Sequence, residues 1–214
     1  MSTIAVIDYG MSNLRSVHKA LEYLAPDDHV CVTGDPRLIR DADRVVFPGQ
    51  GAIGDCMVRL REHGLDAAIR ECLRERPFLG LCLGLQALME TSEENGGTQG
   101  LGVFAGAVTR FPPGLTDASG ARLKIPHMGW NRVHQAGTHP LWENIPQDSR
   151  FYFVHSYHVV PEDPRLVTGT TPYGRGFASA LGQDNIFAVQ FHPEKSQRAG
   201  LALLANFLHW DGKL

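Results

Sequence analysis

Cys82 stands between two glycines in Gly80-Leu81-Cys82-Leu83-Gly84, directly after a short apolar run. This is the spacing of a nucleophile elbow with a thiol in place of the serine hydroxyl. A nucleophile on a sharp strand-to-helix turn has a crowded backbone, so the residues two positions away must lack bulk. The helix that follows offers free amides and the positive end of its dipole, which favour a thiolate. The Leu83 amide is then placed to donate to an oxyanion. Taken alone, the pentapeptide also fits a buried structural cysteine between two packing glycines.

A thiol nucleophile needs a base within hydrogen-bond reach, and the base needs a third group to fix its tautomer. Gln190-Phe191-His192-Pro193-Glu194-Lys195-Ser196 supplies both in one stretch. In a strand the two-residue spacing puts His192 and Glu194 on one face. In the turn that Pro193 favours, the carboxylate folds back onto the imidazole. The other half of an oxyanion hole is expected from a second loop at the same sheet edge, and Pro48-Gly49-Gln50-Gly51 suits it, with Gln50 and Gly51 as the amides. The chain has ten histidines, and His18, His29, His63, His134, His139 and His209 read as satisfied surface or core residues. No further His, Cys or acid stands at metal-ligand spacing near His192, so no metal and no cofactor is expected.

These groups need a scaffold that brings three loops to one edge. Thr3–Asp8, His29–Thr33, Arg44–Phe47 and Pro77–Leu81 read as short buried strands. Between them lie helical stretches over Asn13–Leu24, with Ser12 as N-cap, and over Asp55–Arg74. A further helix runs from Cys82 through Met89. This alternation predicts an α/β fold with a parallel sheet and helices on both faces. The second half is richer in short β segments: Val103–Phe111, Ala121–Ile125, Gly129–His134, Phe151–Val160, Leu166–Thr171, Phe177–Leu181 and Ile186–Phe191. Leu201–Trp210 reads as a closing helix. The sheet is therefore expected to be mixed, with antiparallel additions.

The 214 residues suit a single domain over 1–214, since domains usually hold about 100–200 residues. A formal net charge of −3 with no basic run argues against nucleic acid and against an anionic membrane surface. The N-terminus is a poor signal peptide, and no run of apolar residues is long enough for a membrane span. Cys31, Cys56 and Cys72 read as reduced thiols in a cytoplasmic protein.

Cys82-Leu83-Gly84-Leu85-Gln86 together with Phe191-His192-Pro193-Glu194 resembles the class I, triad-type glutamine amidotransferases. In those enzymes the elbow continues as C-x-G-x-Q and the base lies in an H-P-E segment. Asp8-Tyr9-Gly10, Pro48–Gly51, Pro126-His127-Met128-Gly129-Trp130-Asn131 and Tyr152-Phe153-Val154-His155-Ser156-Tyr157 narrow the likeness. It is to the glutaminase subunits of imidazole glycerol phosphate synthases, nearly end to end.

The resemblance implies a flavodoxin-like fold with a mostly parallel sheet flanked by helices. It also implies glutamine as substrate and a heterodimer with a (β/α)₈-barrel cyclase subunit that receives the ammonia. It assigns Cys82, His192 and Glu194 to catalysis, and Leu83, Gln50 and Gly51 to the oxyanion hole. Gln86, Glu94, His155, Ser156 and Tyr157 would hold the glutamine.

Trp130, Tyr152 and Lys195 match positions that face the barrel. Core packing remains open for the two aromatics, and free solvation for the lysine. Two departures stand out: Gln50 where the family often has Val in P-G-V-G, and Ser12 where it often has a second Gly. The rival readings are another enzyme of the same superfamily, such as the glutaminase of pyridoxal phosphate synthase or the amidotransferase domain of anthranilate or guanylate synthesis, a docking subunit without catalysis, and a free-standing cysteine hydrolase.

Overall fold

Short strands rich in Val, Ile, Leu and Phe, buried on both faces, form the centre of the molecule. The computed structural model describes residues 1–10 and 14–213. In chain order the elements begin with β1 (Thr3–Ile7), α1 (Arg15–Leu24), β2 (His29–Thr33), α2 (Pro36–Asp41) and β3 (Arg44–Phe47). Then come α3 (Ile53–Glu62), α4 (Leu65–Cys72), β4 (Phe78–Leu81), α5 (Leu83–Leu88), β5 (Met89–Ser92), β6 (Thr98–Gln99) and β7 (Phe104–Arg110). The remainder are β8 (His127–Arg132), β9 (His134–Gln135), β10 (Arg150–His155), β11 (Tyr157–Pro161), β12 (Val167–Tyr173), β13 (Arg175–Gln183), β14 (Ile186–Val189) and α6 (Gln197–His209).

Among the described residues, twelve strands form one mixed sheet along β2-β1-β3-β4-β14-β13-β11-β7-β5-β6, with β12 on β13 and β9 on β12. The five strands from β2 to β14 are mutually parallel, and mostly antiparallel pairings extend the sheet beyond β14, with β5 parallel to β7. The expected α/β architecture is the one observed.

The two-residue period of a strand sends alternate side chains to opposite layers. Ala5, Ile7, Val45, Phe47, Phe78 and Ala188 pack on the α3–α4 side with Met57, Leu60 and Ile69. Ile4, Val6, Val46, Leu79, Leu81 and Val189 pack on the other, with Val17 and Leu21 of α1 and Leu203, Leu204 and Phe207 of α6. Burying both faces explains why these strands read as unbroken apolar runs.

Several expected boundaries shift, each for a local reason. The helical stretch Asp55–Arg74 is two helices, broken where Gly64 takes a left-handed φ of 66°. Ala121–Ile125 is no strand. It contributes one bridge, Thr116 to Arg122, in a loop organised by the Asp117 carboxylate, which accepts from the Ser119 and Ala121 amides at 2.8 and 3.0 Å. Phe151–Val160 divides at Ser156: β10 leaves to pair with β8 in a separate two-stranded sheet, while β11 enters the main sheet between β7 and β13. The closing helix α6 starts four residues before Leu201, at Gln197. The proposed cap Ser12 lies outside the described residues.

Candidate active site

β4 lies between β3 and β14, so the carboxyl end of β4 is flanked by the loop after β3 and the segment after β14. That edge is where open parallel sheets place their ligands. Cys82 sits there with φ 53° and ψ −102°, a left-handed conformation costly for a residue that carries a Cβ. Its amide donates to the Val189 carbonyl at 2.7 Å, which ties the elbow to β14. A Cβ at Gly84 would run into the Phe47 carbonyl oxygen of β3, and one at Gly80 would lie 3.0 Å from the Ala188 Cβ of β14. The two glycines of the elbow thus answer to two different neighbouring strands. Gly49 has a third version of the constraint, since a Cβ there would meet the Tyr9 hydroxyl and approach the Leu83 Cβ to 3.0 Å. The Pro48–Gly51 loop is pressed against the first residue of α5, whose opening amides have no helical carbonyl to bond.

After β14 the chain turns at Pro193–Lys195, and His192 Nδ1 donates to Glu194 Oε1 at 2.9 Å. The two side chains are only 9% and 4% exposed, so the pair is sealed from water. The turn is pinned to β10. The His192 amide donates to the Tyr152 carbonyl at 2.9 Å, and Ser196 Oγ donates to the His192 carbonyl at 2.6 Å while accepting from the Tyr152 amide at 3.0 Å. With Nδ1 committed to the carboxylate, Nε2 is the nitrogen left for the sulfur. Burial disfavours the imidazolium, but the attraction of Cys82 and then of Glu194 outweighs it and raises the His192 pKa to about 10. Nε2 has no hydrogen bond of ordinary geometry, so the sulfur acts on the ring through charge and proximity.

A cavity of about 320 Å³ opens over Cys82, within the size range of small-molecule sites. Its walls hold Cys82, His192, Leu83, Gln50, Gly51, Gln86, Glu94, His155, Ser156 and Tyr157, together with Pro126 and Val154. The expected catalytic, oxyanion and substrate positions therefore converge on one cavity, with Glu194 directly behind His192. Glu94 Oε2 accepts from the Ile53 amide at 2.9 Å, which fixes its carboxylate at the cavity wall. Gln86 Nε2 donates to the Tyr157 carbonyl at 3.2 Å and to Gln190 Oε1 at 3.1 Å.

The three remaining positions lie apart from the cavity. Trp130 and Tyr152 face one another across the β8–β10 pair, ring centroids 6.1 Å apart, and Trp130 is 38% exposed. Trp130 is not core. Lys195 is half-buried and makes no ion pair among the described residues.

Sequence reasoning passed over Gln190, beside the nucleophile, and His127, one histidine removed from the cavity wall. Gln190 is fully buried and its Nε2 lies 3.6 Å from Cys82 Sγ. The available signal was a polar residue inside the apolar run Ile186–Phe191, two positions before His192. His127 was noted only as part of a motif, and it donates or accepts at 2.9 Å with His155. Burial pushes the His127 pKa down to about 4 and that of His155 down to about 3, so both are neutral near pH 7. His139, read as a satisfied residue, has a buried Nε2 without a partner among the described residues. No cluster of three or more potential metal ligands occurs among them.

Residues 5–210 match the protein family described as glutamine amidotransferase class-I. Curated relatives named imidazole glycerol phosphate synthase subunit HisH align over nearly the whole length. The protein of Nitrosococcus oceani is 61% identical over 99% of both chains. That of Methylococcus capsulatus is 58% identical over 99% of this chain and 98% of its own. Among solved structures, a glutamine amidotransferase superposes with a TM-score of 0.71 at 18% identity, covering 98% of each chain. PurLQS from Thermotoga maritima gives 0.69 at 19% identity, covering 98% of this chain and 99% of the other. The structural likenesses bear on the fold, and the sequence relatives on the branch within it. With an elbow cysteine, a paired histidine and glutamate, and these relatives, the chain belongs to the class I glutamine amidotransferase family, among the imidazole glycerol phosphate synthase HisH subunits.

Proposed function

We propose that this chain hydrolyses glutamine to glutamate and ammonia through Cys82, His192 and Glu194. In this reading it forms a heterodimer with a (β/α)₈-barrel cyclase subunit and passes ammonia to it. The complex then makes imidazole glycerol phosphate and an aminoimidazole carboxamide ribotide in histidine biosynthesis, in the cytoplasm. The observation that carries the reading is the sealed His192–Glu194 pair at the wall of a cavity that contains the elbow cysteine. Continuity of the sheet from β1 to β14 supports a single domain over 1–214.

The chemistry follows from the groups present. The Cys82 thiolate attacks the side-chain carbonyl carbon of glutamine, and the resulting oxyanion lies between the Leu83 amide and the Gln50–Gly51 loop. Each such donor contributes on the order of 10²–10³ in rate. His192, protonated and held by Glu194, gives its proton to the departing amide nitrogen, which leaves as ammonia. The neutral imidazole then takes a proton from water, whose oxygen attacks the γ-glutamyl thioester and expels the thiolate. Glutamate and a proton complete the balance. Glu94 suits the α-ammonium of the substrate by charge, and Gln86 presents its Oε1, both its amide protons being used within the protein.

Docking belongs to the β8–β10 face, where Trp130 and Tyr152 pair and Met128 is 62% exposed, with Lys195 next to it in the turn pinned to Tyr152. The test is glutamate release by the purified chain, alone and with the cyclase barrel and its ligand. Stimulation by the barrel is expected. Cys82→Ala should abolish glutamine-dependent synthesis while leaving ammonia-driven synthesis by the complex intact. Glutamine-dependent turnover in that variant would remove Cys82 from the role.

A further inference from the structure

A carbonyl oxygen can only accept hydrogen bonds, and the Tyr157 carbonyl accepts two. One comes from His155 Nδ1 at 2.7 Å and the other from Gln86 Nε2 at 3.2 Å. This one oxygen dictates the polarity of everything bonded on either side of it. On the histidine side, His155 must carry its proton on Nδ1, so in the neutral ring Nε2 is a bare acceptor. It therefore receives the Nδ1 proton of His127 at 2.9 Å. His127 Nε2 is then bare in turn and accepts from Asn131 Nδ2 at 3.2 Å. Asn131 spends its second amide proton on the Pro172 carbonyl at 2.7 Å. Every donor in this branch meets an acceptor, and the chain closes only if both rings are neutral.

On the glutamine side the same logic runs toward the nucleophile. Gln86 uses one Nε2 proton on Tyr157 and the other on Gln190 Oε1 at 3.1 Å. The Gln190 amide is therefore turned with its oxygen toward Gln86 and its NH₂ toward Cys82 Sγ, 3.6 Å away. Gln190 has no exposed surface. Burying a primary amide is costly unless its groups are bonded, and here both of its polar atoms are bonded, the nitrogen to the sulfur. Its backbone is fixed as well, the amide donating to the Ser179 carbonyl at 2.9 Å.

We infer that Gln190 is a positioning residue for the nucleophile, donating to the Cys82 sulfur with an orientation imposed by the Tyr157 carbonyl through Gln86. The sulfur thereby faces two groups from the segment that follows β14, Gln190 by its amide and His192 by charge and proximity. The donor steadies negative charge on sulfur before attack and again when the thioester breaks. This rests on Cys82 as the glutaminase nucleophile.

The experiment uses the complex with the cyclase barrel and compares wild type with Gln190→Met, which keeps length and removes the donor. A hydrogen bond to a charged acceptor is worth roughly tenfold to a hundredfold in rate. The expected result is a fall of that size in kcat for glutamate release, larger than any rise in KM that losing the Gln86 contact brings. Iodoacetamide labelling of Cys82 at fixed pH, located by peptide mass spectrometry, should slow by a similar factor. A residue that served packing alone would lower the melting temperature without slowing alkylation. Wild-type kcat and wild-type alkylation in a folded Gln190→Met complex would overturn the inference. Because Gln190 is buried, one arm needs no variant: a crystal structure of the wild-type complex with the Gln190 amide turned away from Sγ would also overturn it. A wild-type complex that releases no glutamate would instead count against the glutaminase reading itself, so the two failures are distinguishable.

Discussion

Burial alone would keep His192 neutral, but the Cys82 sulfur and the Glu194 carboxylate raise its pKa to about 10. Glu194 does two separable things: it holds the ring by the 2.9 Å bond from Nδ1, and it supplies charge. Glu194→Gln preserves shape but permits the amide NH₂ to face Nδ1, which selects the wrong tautomer. A loss in kcat on the order of 10²–10⁴ follows, with little change in KM, because Glu194 does not line the cavity. Steady-state glutaminase kinetics check this, and a KM effect alone would contradict it. Cys82, His192 and Glu194 were legible in the sequence because each role sits in a short local motif whose spacing carries the geometry. Gln190 and His127 were not. The partners that give them meaning, Cys82 and Gln86 for Gln190 and His155 on β10 for His127, lie far along the chain, and no local spacing encodes such a contact.

At the scale of elements, the nucleophile is exact only as far as α5 is pressed against β3. Gly84 permits that approach, since a Cβ would collide with the Phe47 carbonyl. Gly84→Ala must push α5 away or twist the elbow, and overpacking of this kind costs about 1–3 kcal/mol. Displacing the sulfur by about 1 Å is enough to cost roughly a hundredfold in rate. The variant is thus expected to lose at least that much kcat while remaining folded. Circular dichroism beside glutaminase assay decides it, and near-wild-type turnover would show that the close approach is dispensable. The parallel strands and the elbow were readable because burial on both faces and the glycine spacing are local signals. Helix α2 also had a signal that went unread, Asp35 capping the Arg37 amide at 2.8 Å with Pro36 at the first helical turn. The division of Phe151–Val160 had none. Ser156 is one residue in an alternating run, and only the competing sheets on either side reveal that β10 and β11 belong to different ones.

Across the whole molecule, several histidines are buried neutral while one is buried charged, and the two groups shape stability on opposite sides of neutrality. Burial lowers the folded-state pKa of His127 and His139 to about 4 and of His155 to about 3, and it lowers that of His158 as well. The unfolded chain takes up protons on these rings below pH about 6.5 whereas the native state does not. Their stabilising contribution is therefore complete above that pH and falls as pH drops toward the folded values, by up to about 1.4 kcal/mol per ring per pH unit. His192 has the reverse sign. Its folded pKa is raised to about 10, so its contribution is complete below about 6.5 and is lost as pH climbs toward 10. Four rings against one make the acid limb the steeper. Between pH 6.5 and 5 most carboxylates are still ionised, so the slope there belongs mainly to histidines. Urea unfolding at pH 5, 6.5 and 9 should show the largest loss at pH 5. His139→Phe, remote from the cavity, should flatten the acid limb by about one ring's worth whatever it costs in absolute stability, because the slope counts protons and not contacts. His139 packs between Phe187 and Trp210, with centroids 4.4 and 5.2 Å away, so a phenyl ring is accommodated. An unchanged slope in that variant would mean that the buried rings do not govern the acid limit of the fold.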